Sequence, residues 1–456
     1  MGSKEKRMAD TKTIFITSFH ILISRNILAS PVFELLLGRG LRIVLLVPEE
    51  KVAFFEREFS SAGVVIEGIA RKLARSDVFL RYLALASVRT NTLAIKRRTE
   101  MKGSGMWLSW FIGNNPLWRW LFRKMDSWLT PRDRFASLFD RYQPSLVFST
   151  DVQNENDVRL IHESRDRGVS CVGMVRSWDN LTAKGLIRAL PDVLVVNNEI
   201  VKSEARRFHG VSDTMVRVVG IPHYDRYILP SPHSRDAFAK IVGLNPEKRW
   251  VVYAPTGDRY LGGENSIDRD IIKFLNSEIP ETHQLLIRMP PSDSVNVEGL
   301  KLSSSVVIMR PGVQLSTGVG TFKNNELTSD DDELLRDTLS YAEVVIAGPS
   351  TIVIDAAVYD RPIILVGFDG EKNRSYYESI RRYYDYDHFR PVITSGGIRL
   401  TSNFQELKVS LHNYLERSRE DHEGRAKIAS LECGKLDGHS SERLVGVFAE
   451  VFDRGV

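Results

Sequence analysis

The sequence predicts an α/β protein made of two doubly wound parallel-sheet domains followed by C-terminal helices. Short apolar runs rich in β-branched residues alternate with helical patterns along most of the chain, as is typical of parallel sheets. The length of 456 residues exceeds one ordinary hydrophobic core and suits two domains. The composition, 43% hydrophobic and 26% charged, is that of a globular protein.

The first domain is predicted over residues 11–230. A strand, a helical pattern and a second strand open it, and further β-type runs follow at intervals that leave room for helices. The predicted strands are "TIFITSF" (13–19), "RIVLLVP" (42–48), "SLVFST" (145–150), "VSCVGMV" (169–175), "DVLVVNN" (192–198) and "MVRVVGIP" (215–222).

The second domain is predicted over residues 231–410, after the Pro- and Ser-rich stretch "YILPSPHSRDAF". Residues 411–456 have helical patterns, and we expect them to pack back across both domains. The predicted strands of this domain are "RWVVYAPT" (249–256), "HQLLIRMPP" (283–291), "VVIMRPG" (306–312), "EVVIAGPS" (343–350) and "PIILVGF" (362–368).

A basic, Trp-rich segment at about 71–130 interrupts the α/β alternation and is predicted to be a helical insertion. Residues 71–126 carry 12 Lys or Arg against 3 Asp or Glu, and five of the seven tryptophans lie in 107–128. This composition is typical of an element that lies in a membrane interface, with Trp107, Trp110, Trp118 and Trp120 as its anchors. The alternative is an ordinary insertion whose aromatic residues form a core and whose basic residues face solvent.

Charge and cysteine content narrow the compartment and the partners. The net charge of +4 and the confinement of basic residues to one segment argue against a nucleic-acid partner. Two distant cysteines supply no disulfide framework and fit a reducing compartment. The polar start resembles no secretory signal, and no apolar run is long enough for a membrane-spanning helix. We therefore expect a cytoplasmic protein that associates peripherally with the inner face of the cell membrane.

In the first domain, polar side chains follow predicted strands at their carboxyl ends, where doubly wound folds bind ligands. His20 follows the first strand and is a candidate general base that would deprotonate the hydroxyl of a second substrate, the acceptor of a transferred group. Arg25 and Asn26 are candidate residues for binding that substrate. Asp151 ends the strand at 145–150 and is a second candidate base or acceptor ligand. A lone histidine is more often a structural hydrogen-bonding group.

The loop "MVRSWDNLTAKG" (174–185) is the third candidate in this domain. Many polar groups and one tryptophan directly after a buried strand indicate a sugar- or phosphate-contacting loop, although a capped helix start uses similar residues. The predicted ligands are Ser177, Trp178, Asp179 and Asn180.

In the second domain, the strand–loop–helix at "AEVVIAGPSTIVIDAAVYDRPIILVGFDG" (342–370) predicts a phosphate site, because unpaired backbone amides at such a turn favour an anion. Asp355 is expected to reach a ribose or sugar hydroxyl. The alternative is that Ser350 caps a helix and Asp355 is an ordinary first-turn acid. The full set of predicted donor ligands is Thr256, Arg259, Arg288, Gly348, Ser350, Thr351 and Asp355.

No metal site is predicted. The acids of "TSDDDELLRD" (328–337) are interpreted as the start of a helix rather than as metal ligands. The diphosphate of a donor would then be held by neutral amides and arginine.

Taken together, these segments resemble the GT-B glycosyltransferases, and among them the CDP-glycerol glycerophosphotransferase-like and related surface-polysaccharide transferases. The resemblance rests on "GIPHYDRY", "YAPTGDRY", "LIRMPP" and "DDELLRDTLSYAEVVIAGPSTIVIDAAVYDRPIILVGFDG". It implies two facing Rossmann-like domains with a deep interdomain cleft, donor nucleotide on the second and acceptor on the first. Met289 stands where the glycerophosphotransferases carry a histidine, which favours a nucleotide-sugar donor.

The resulting hypothesis is a metal-independent glycosyltransferase of bacterial cell-envelope biosynthesis. It would move a sugar from a nucleotide-activated donor, its co-substrate, to a lipid-linked or polysaccharide acceptor, without a bound cofactor. The alternatives are a CDP-alditol phosphotransferase, a nonhydrolysing UDP-sugar 2-epimerase and a noncatalytic sugar-nucleotide-binding protein. An epimerase has no use for a membrane-facing insertion, and a noncatalytic protein needs no catalytic His20 or Asp151.

Overall fold

The computed structural model describes residues 12–101, 103, 105–258, 266–315 and 325–454. The chain forms two compact units. Unit 1 combines the residues up to Ile228 with those from Gly434 onward, and unit 2 is Leu229–Cys433. Each unit is an α/β domain with a parallel sheet, so the predicted fold class is confirmed.

Unit 1 contains a seven-stranded parallel sheet in the order β3-β2-β1-β4-β5-β6-β7. The inner strands are buried along their whole length because helices cover both faces of the sheet, as their unbroken apolar runs predict. The strands are β1 Thr13–Thr17, β2 Arg42–Pro48, β3 Val64–Ile69, β4 Leu146–Ser149, β5 Cys171–Met174, β6 Val193–Val196 and β7 Val216–Val218.

Helices surround this sheet. A π-helical turn at Ser24–Leu28 and 3₁₀ turns at Glu49–Lys51, Asp213–Met215 and Pro222–Arg226 complete the unit. The α-helices before the last one are α1 Ile21–Ile23, α2 Pro31–Gly38, α3 Val52–Phe59, α4 Arg75–Ala86, α5 Asn91–Thr99, α6 Met106–Ile112, α7 Pro116–Leu129, α8 Ala136–Tyr142, α9 Glu155–Asp166, α10 Asn180–Ala183 and α11 Glu199–His209.

The predicted C-terminal segment 411–456 is divided between the two units. Its first part belongs to unit 2, whereas the last helix (α19, Ser440–Arg454) packs on unit 1. The carboxylate of Asp225 accepts hydrogen bonds from the backbone N–H groups of Ser440 (2.8 Å) and Ser441 (2.6 Å) at the start of this helix. Asp225 and His223 are buried, so the "GIPHYDRY" segment is structural here.

Unit 2 contains a six-stranded parallel sheet in the order β10-β9-β8-β13-β14-β15, with a short antiparallel pair, β11 and β12, beside it. The strands are β8 Arg249–Ala254, β9 His283–Arg288, β10 Val306–Met309, β11 Val313–Gln314, β12 Asn325–Glu326, β13 Ala342–Ala347, β14 Ile363–Val366 and β15 Arg399–Thr401.

The helices of unit 2 lie between these strands and after the last one. They are α12 Arg235–Val242, α13 Ser266–Glu278, α14 Ser329–Tyr341, α15 Ile352–Val358, α16 Arg390–Ile393, α17 Phe404–Glu416 and α18 His422–Cys433, with 3₁₀ turns at Ile380–Asp385 and Asp387–Phe389. Thr328 and Asp331 form a reciprocal capping box at the start of α14. The interpretation of the "TSDDDELLRD" acids as a helix start is confirmed.

The basic insertion (residues 71–130) forms α4 to α7. Their shared core contains Leu80, Leu83, Leu93 and Phe122. Within the described residues no single helix is long and apolar enough to cross a membrane. Ile21–Leu28 and Pro31–Gly38 satisfy that test only as a pair, and they are bent by 56° at their junction.

The tryptophans of the insertion differ in their surroundings. Trp107 and Trp110 are 75% and 66% exposed, and Trp120 is also exposed. Trp118 instead stacks on Phe122 and donates its indole N–H to the Ser87 hydroxyl at 2.7 Å. Trp118 is therefore part of the insertion's own packing, which opposes its predicted role as a membrane anchor.

Candidate functional site

Each sheet reverses its strand order at one position, and ligands of doubly wound proteins bind at the carboxyl ends of the strands there. In unit 1 this position lies between β1 and β4, and in unit 2 between β8 and β13. The polar residues predicted from the sequence follow these four strands or their neighbours.

The two predicted catalytic residues of unit 1 belong to one polar cluster. Asp151, just after β4, accepts a hydrogen bond from Nε of Arg176 at 2.9 Å and contacts Nζ of Lys184 at 3.2 Å. Nη1 of the same arginine lies 3.1 Å from Nδ1 of His20, just after β1. Asn180 donates to Asp151 at 3.3 Å. His20 and Asp151 are thus linked through Arg176 in one cluster.

The geometry of His20 opposes its predicted role as a general base. Its Nδ1 faces two donors, the guanidinium of Arg176 and the backbone N–H of Leu22 at 3.2 Å, so Nδ1 must be the acceptor of the ring. The neutral ring then carries its proton on Nε2. Burial, reinforced by the charges of Arg176 and Lys184, lowers the pKa of His20 well below 6.5. Near neutral pH His20 is a hydrogen-bond donor at Nε2.

Asp151 is likewise poorly suited to accept a proton. Burial alone would raise its pKa, but the charges of Lys184 and Arg176 outweigh that effect and hold the pKa below its ordinary value. A carboxylate so stabilised is a weak base. Its role in this geometry is to hold the two cations in place.

The other predicted acceptor ligands surround this cluster or lie apart from it. Asn180 is fully buried within the cluster, and Trp178 before it is also buried. Ser177 and Asp179 are half-buried in the same turn, where the Ser177 carbonyl accepts from the N–H of Asn180. Arg25 and Asn26 are paired with each other at 3.1 Å on the π-helical turn after α1.

Two residues of the cluster, Arg176 and Lys184, were not among the predicted site residues. Both lie in the 174–185 loop, which the sequence predicts to contact a sugar or a phosphate. Their positive charge just after a strand was the sequence feature that could have indicated them. They pair with the carboxylate of Asp151, and the charge of Asp179 in the same turn also acts on Lys184.

A second carboxyl lies beneath the cluster. Asp157 is fully buried on α9 and accepts hydrogen bonds from the hydroxyls of Thr17 (2.6 Å) and Ser149 (2.9 Å). Burial, with a smaller contribution from the charge of Asp151, raises its pKa to about 7. The hydroxyl of Ser18, just after β1, is buried and has no hydrogen-bond partner within the described part of the chain.

In unit 2, Thr256 and Gly348 meet where β8 and β13 end. A Cβ added to Gly348 would lie 1.9 Å from Oγ1 of Thr256, so only glycine fits at this position. Among the residues that the structure describes, this buried hydroxyl has no hydrogen-bond partner. The carboxylate of Asp268, which the sequence analysis missed, accepts from the backbone N–H groups of Thr256 (3.1 Å) and Gly257 (2.9 Å) and fixes the turn after β8.

The remaining predicted donor ligands occupy different environments. Ser350 is half-buried and Thr351 exposed at the turn after β13, and no side chain caps α15. Arg288 is buried at the carboxyl end of β9, and Arg259 lies outside the described residues.

Asp355 is only 2% exposed. Burial, with a smaller contribution from the charge of Asp355, raises the pKa of Cys433 on α18. The carboxylate therefore lies against α18 rather than at the exposed turn, which opposes the predicted contact with a sugar hydroxyl.

Solved structures share this fold. The TagF wall teichoic acid polymerase aligns with a TM-score of 0.53 at 12% identity, over 98% of this chain and 90% of that one. A UDP-N-acetylglucosamine 2-epimerase aligns with a TM-score of 0.56 at 10% identity, over 97% and 96%. An S. aureus MnaA–UDP structure aligns with a TM-score of 0.52 at 12% identity, over 97% of both chains.

A search of curated protein sequences finds no significant match. The profile of the family described as CDP-glycerol:poly(glycerophosphate) glycerophosphotransferase matches residues 179–449, more than half of the chain. The match includes the end of the unit 1 cluster, all of unit 2 and most of α19. This chain, with its GT-B fold, therefore belongs to the CDP-glycerol:poly(glycerophosphate) glycerophosphotransferase family of transferases.

Proposed function

We propose that this protein is a glycosyltransferase that moves a sugar from a nucleotide-activated donor to a lipid-linked or cell-surface polysaccharide acceptor. The observation that carries the proposal is the pair of polar strand ends, one in each unit. Unit 2 offers a site for the donor and unit 1 a site for the acceptor. Because every donor interaction we invoke is made by protein groups, we expect activity to survive chelation of divalent metals.

The donor assignment rests on the turn of unit 2 built from Thr256 and Gly348. The buried hydroxyl of Thr256 needs a partner, since an unsatisfied buried hydroxyl is unfavourable. A phosphate or ribose oxygen would supply one, and Ser350 and Thr351 lie at the turn after the neighbouring strand. Similar folds have been solved with nucleotides, as their descriptions state: MnaA with UDP and TagF with CDPG.

The acceptor assignment rests on the cluster of unit 1. Arg176 and Lys184 converge on Asp151 at the strand ends, and both side chains keep further N–H donors that suit an acceptor carrying a phosphate, such as a lipid-linked saccharide. The Nε2–H of neutral His20 would donate a hydrogen bond to an acceptor oxygen or to developing negative charge. This role replaces the general-base role expected from the sequence.

A second candidate is transfer of an alditol phosphate from a CDP-alditol, and the family match favours it. We place sugar transfer first because Met289, which is 1% exposed just after β9, stands at the position where these transferases carry a histidine. A buried thioether has no proton to give or take, so it cannot perform the chemistry of that histidine.

A membrane-bound acceptor would explain the exposed aromatic residues of the basic insertion. Trp107 and Phe111 on α6 and Leu117 and Trp128 on α7 are all exposed, among basic residues that attract anionic lipid. We propose that this surface holds the protein on the inner face of the cell membrane.

The deciding experiment combines donor binding with product identity. Calorimetry with UDP, GDP, CDP, CMP, their sugar conjugates and CDP-glycerol identifies the nucleotide. Mass analysis of the product formed when both sugar and alditol donors are supplied shows whether a sugar or an alditol phosphate was added. Thr256→Val should weaken binding of that nucleotide about tenfold, the worth of roughly one hydrogen bond. Thr394→Val, at an exposed hydroxyl bonded only within its own helix, is the matched control.

The outcomes separate the alternatives. Binding with a transferred alditol phosphate would reject sugar transfer, and epimerisation without transfer would reject both candidates. Failure of the folded protein to bind any of these nucleotides would reject the donor assignment.

A further inference from the structure

Beside the exposed aromatic surface, helix α7 lines a pocket of about 410 Å³ that is strongly basic. Its wall contains the charged ends of Arg119, Arg123, Lys124 and Arg165, together with Trp120 and Ser127. No Asp or Glu is among the lining residues. We propose that this pocket binds a phosphate group, and that its source is the head group of an anionic membrane lipid.

The arrangement follows from the pattern of α7. Trp118, Phe122, Met125 and Leu129 recur at helical spacing and pack inward. Adjacent positions carry arginine, so the same helix presents a basic side next to its buried side. Trp120 and Lys124 lie one turn apart at the border between this basic side and the exposed apolar side chains.

The arginines are held in position but not neutralised. Arg123 donates to the backbone carbonyls of Ile187 (3.1 Å) and His209 (2.6 Å). Arg119 donates to those of Arg207 (3.3 Å) and Phe208 (3.2 Å). Carbonyl oxygens orient a guanidinium without cancelling its charge, and each fork keeps further N–H donors for a phosphate.

The surrounding charges leave the pocket positive. The nearest acid of the helix, Asp126, is buried and already bound by Arg188 (2.6 Å) and by His162 (2.9 Å). Burial, reinforced by the charge of Arg119, lowers the pKa of Arg123 to about 10. A bound anion would relieve this repulsion.

The position of the pocket selects a lipid as the source of the phosphate. Trp120 lines the pocket and is 57% exposed, and Leu121 beside it is also exposed. An aromatic residue in the acyl boundary places groups on the same helix at the depth of the lipid phosphates. This step rests on the membrane association proposed above.

The test compares two equal charge reversals, Lys124→Glu in the pocket and Lys72→Glu at an exposed site of the same insertion. Neither side chain holds another residue in place among the contacts described. Binding to vesicles of phosphatidylcholine with phosphatidylglycerol is measured by sedimentation, against vesicles of phosphatidylcholine alone. We expect Lys124→Glu to weaken the phosphatidylglycerol-dependent binding about tenfold more than Lys72→Glu does, because uniform surface attraction would affect both equally.

Equal losses in the two variants would overturn the pocket while leaving membrane association intact. If the unmodified protein fails to bind either vesicle, the membrane association itself is wrong. Thermal stabilisation by inorganic phosphate or glycerol 1-phosphate that Lys124→Glu removes, without a difference between the variants on vesicles, would overturn the lipid source in favour of a soluble phosphate.

Discussion

Nη1 of Arg176 lies 3.1 Å from Nδ1 of His20, so the guanidinium donates a hydrogen bond to this ring nitrogen. A histidine that acts as a base at Nε2 needs a hydrogen-bond acceptor beside Nδ1 instead. In a histidine that acts as a base at Nε2, Nδ1 carries the proton and donates it to an orienting group. Here the opposite tautomer is fixed, and His20 can only donate from Nε2.

This relationship predicts different results for two replacements of His20. His20→Gln keeps an amide N–H at about the reach of Nε2 and should retain activity to within about tenfold, whereas His20→Ala should lose about 100-fold or more in kcat. Steady-state kinetics on the identified donor and acceptor provides the measurement. Equal, large losses in both variants would restore the general-base role.

The pH profile gives an independent check on His20. Because its pKa is lowered, protonation of the ring should reduce kcat only well below pH 6.5. A loss of activity centred at or above that value, and absent from His20→Gln, would show that the ring titrates normally.

Asp157 should make the stability of unit 1 depend on pH. Its pKa is near its ordinary acidic value when the chain is unfolded and about 7 when folded, so the folded state binds the proton more tightly. The resulting stabilisation is complete at low pH and is lost as the pH rises through about 7. Relative to the unmodified protein, Asp157→Asn should therefore gain in Tm between about pH 5 and pH 9.

Thermal unfolding across this range provides the measurement. Asp453→Asn, at an exposed side chain of unit 1, is the control and should run parallel to the unmodified protein. If Asp157→Asn also runs parallel, the buried carboxyl has an ordinary pKa.

The contact between Gly348 and Thr256 predicts a coupled pair of substitutions. Gly348→Ala places a methyl group 1.9 Å from Oγ1 of Thr256 and should destabilise unit 2 by about 1–3 kcal/mol. Adding Thr256→Ala removes the clash, so the double variant should recover part of that loss. Urea unfolding of the single and double variants measures the coupling.

Gly446→Ala is the control for this pair. Nothing lies within 4 Å of its added Cβ, and alanine in a helix is expected to be neutral or stabilising. Additive effects at Gly348 and Thr256 would contradict the contact.

The exposed and packed tryptophans should respond in opposite ways to substitution. Replacing Trp107 and Trp110 by Ser should abolish vesicle binding with little change in unfolding free energy, since both rings are mostly exposed. Trp118→Ser should cost about 3 kcal/mol through lost stacking on Phe122 and the lost bond to Ser87. Vesicle sedimentation measures the loss of membrane binding, and urea unfolding measures the loss of stability. Unchanged vesicle binding after loss of Trp107 and Trp110 would contradict the membrane surface.

Local sequence patterns were enough to predict the inner strands of both sheets and the candidate strand ends. The edge strands β3 and β15 were not predicted, because they are only partly buried and lack an unbroken apolar run. Buried parallel strands are near-continuous apolar runs, so their ends can be located, and the rule for ligand sites then selected His20, Asp151 and Thr256. The roles of these residues depend on partners distant in the chain. The tautomer of His20 is set by Arg176, and the burial of Asp355 depends on α18.

The roles of the tryptophans in the insertion also depend on contacts that the sequence alone does not show. Trp107 and Trp118 have similar neighbours in sequence, and only the packing of α7 against the rest of the insertion separates them. Charge in the 174–185 loop was visible, but the pairing of Arg176 and Lys184 with one carboxylate from another strand was not.

The return of α19 to unit 1 has a consequence for biosynthesis. Unit 2 is inserted into unit 1 between Ile228 and Gly434. The chain leaves unit 1 and returns to it at neighbouring positions, since a Cβ added to Gly438 would lie 2.5 Å from the Ile228 side chain. During synthesis on the ribosome, unit 2 is complete once Cys433 has been made, whereas unit 1 still lacks α19. The hydrogen bonds from the backbone N–H groups of Ser440 and Ser441 to Asp225 form only after that helix emerges. A nascent chain that stops before α19 contains all seven strands of the unit 1 sheet but lacks the helix that packs on it, including the ring contact between Phe148 and Phe448. We expect this part of the chain to be more vulnerable to proteolysis until the last helix is added, even though most of its residues were made first.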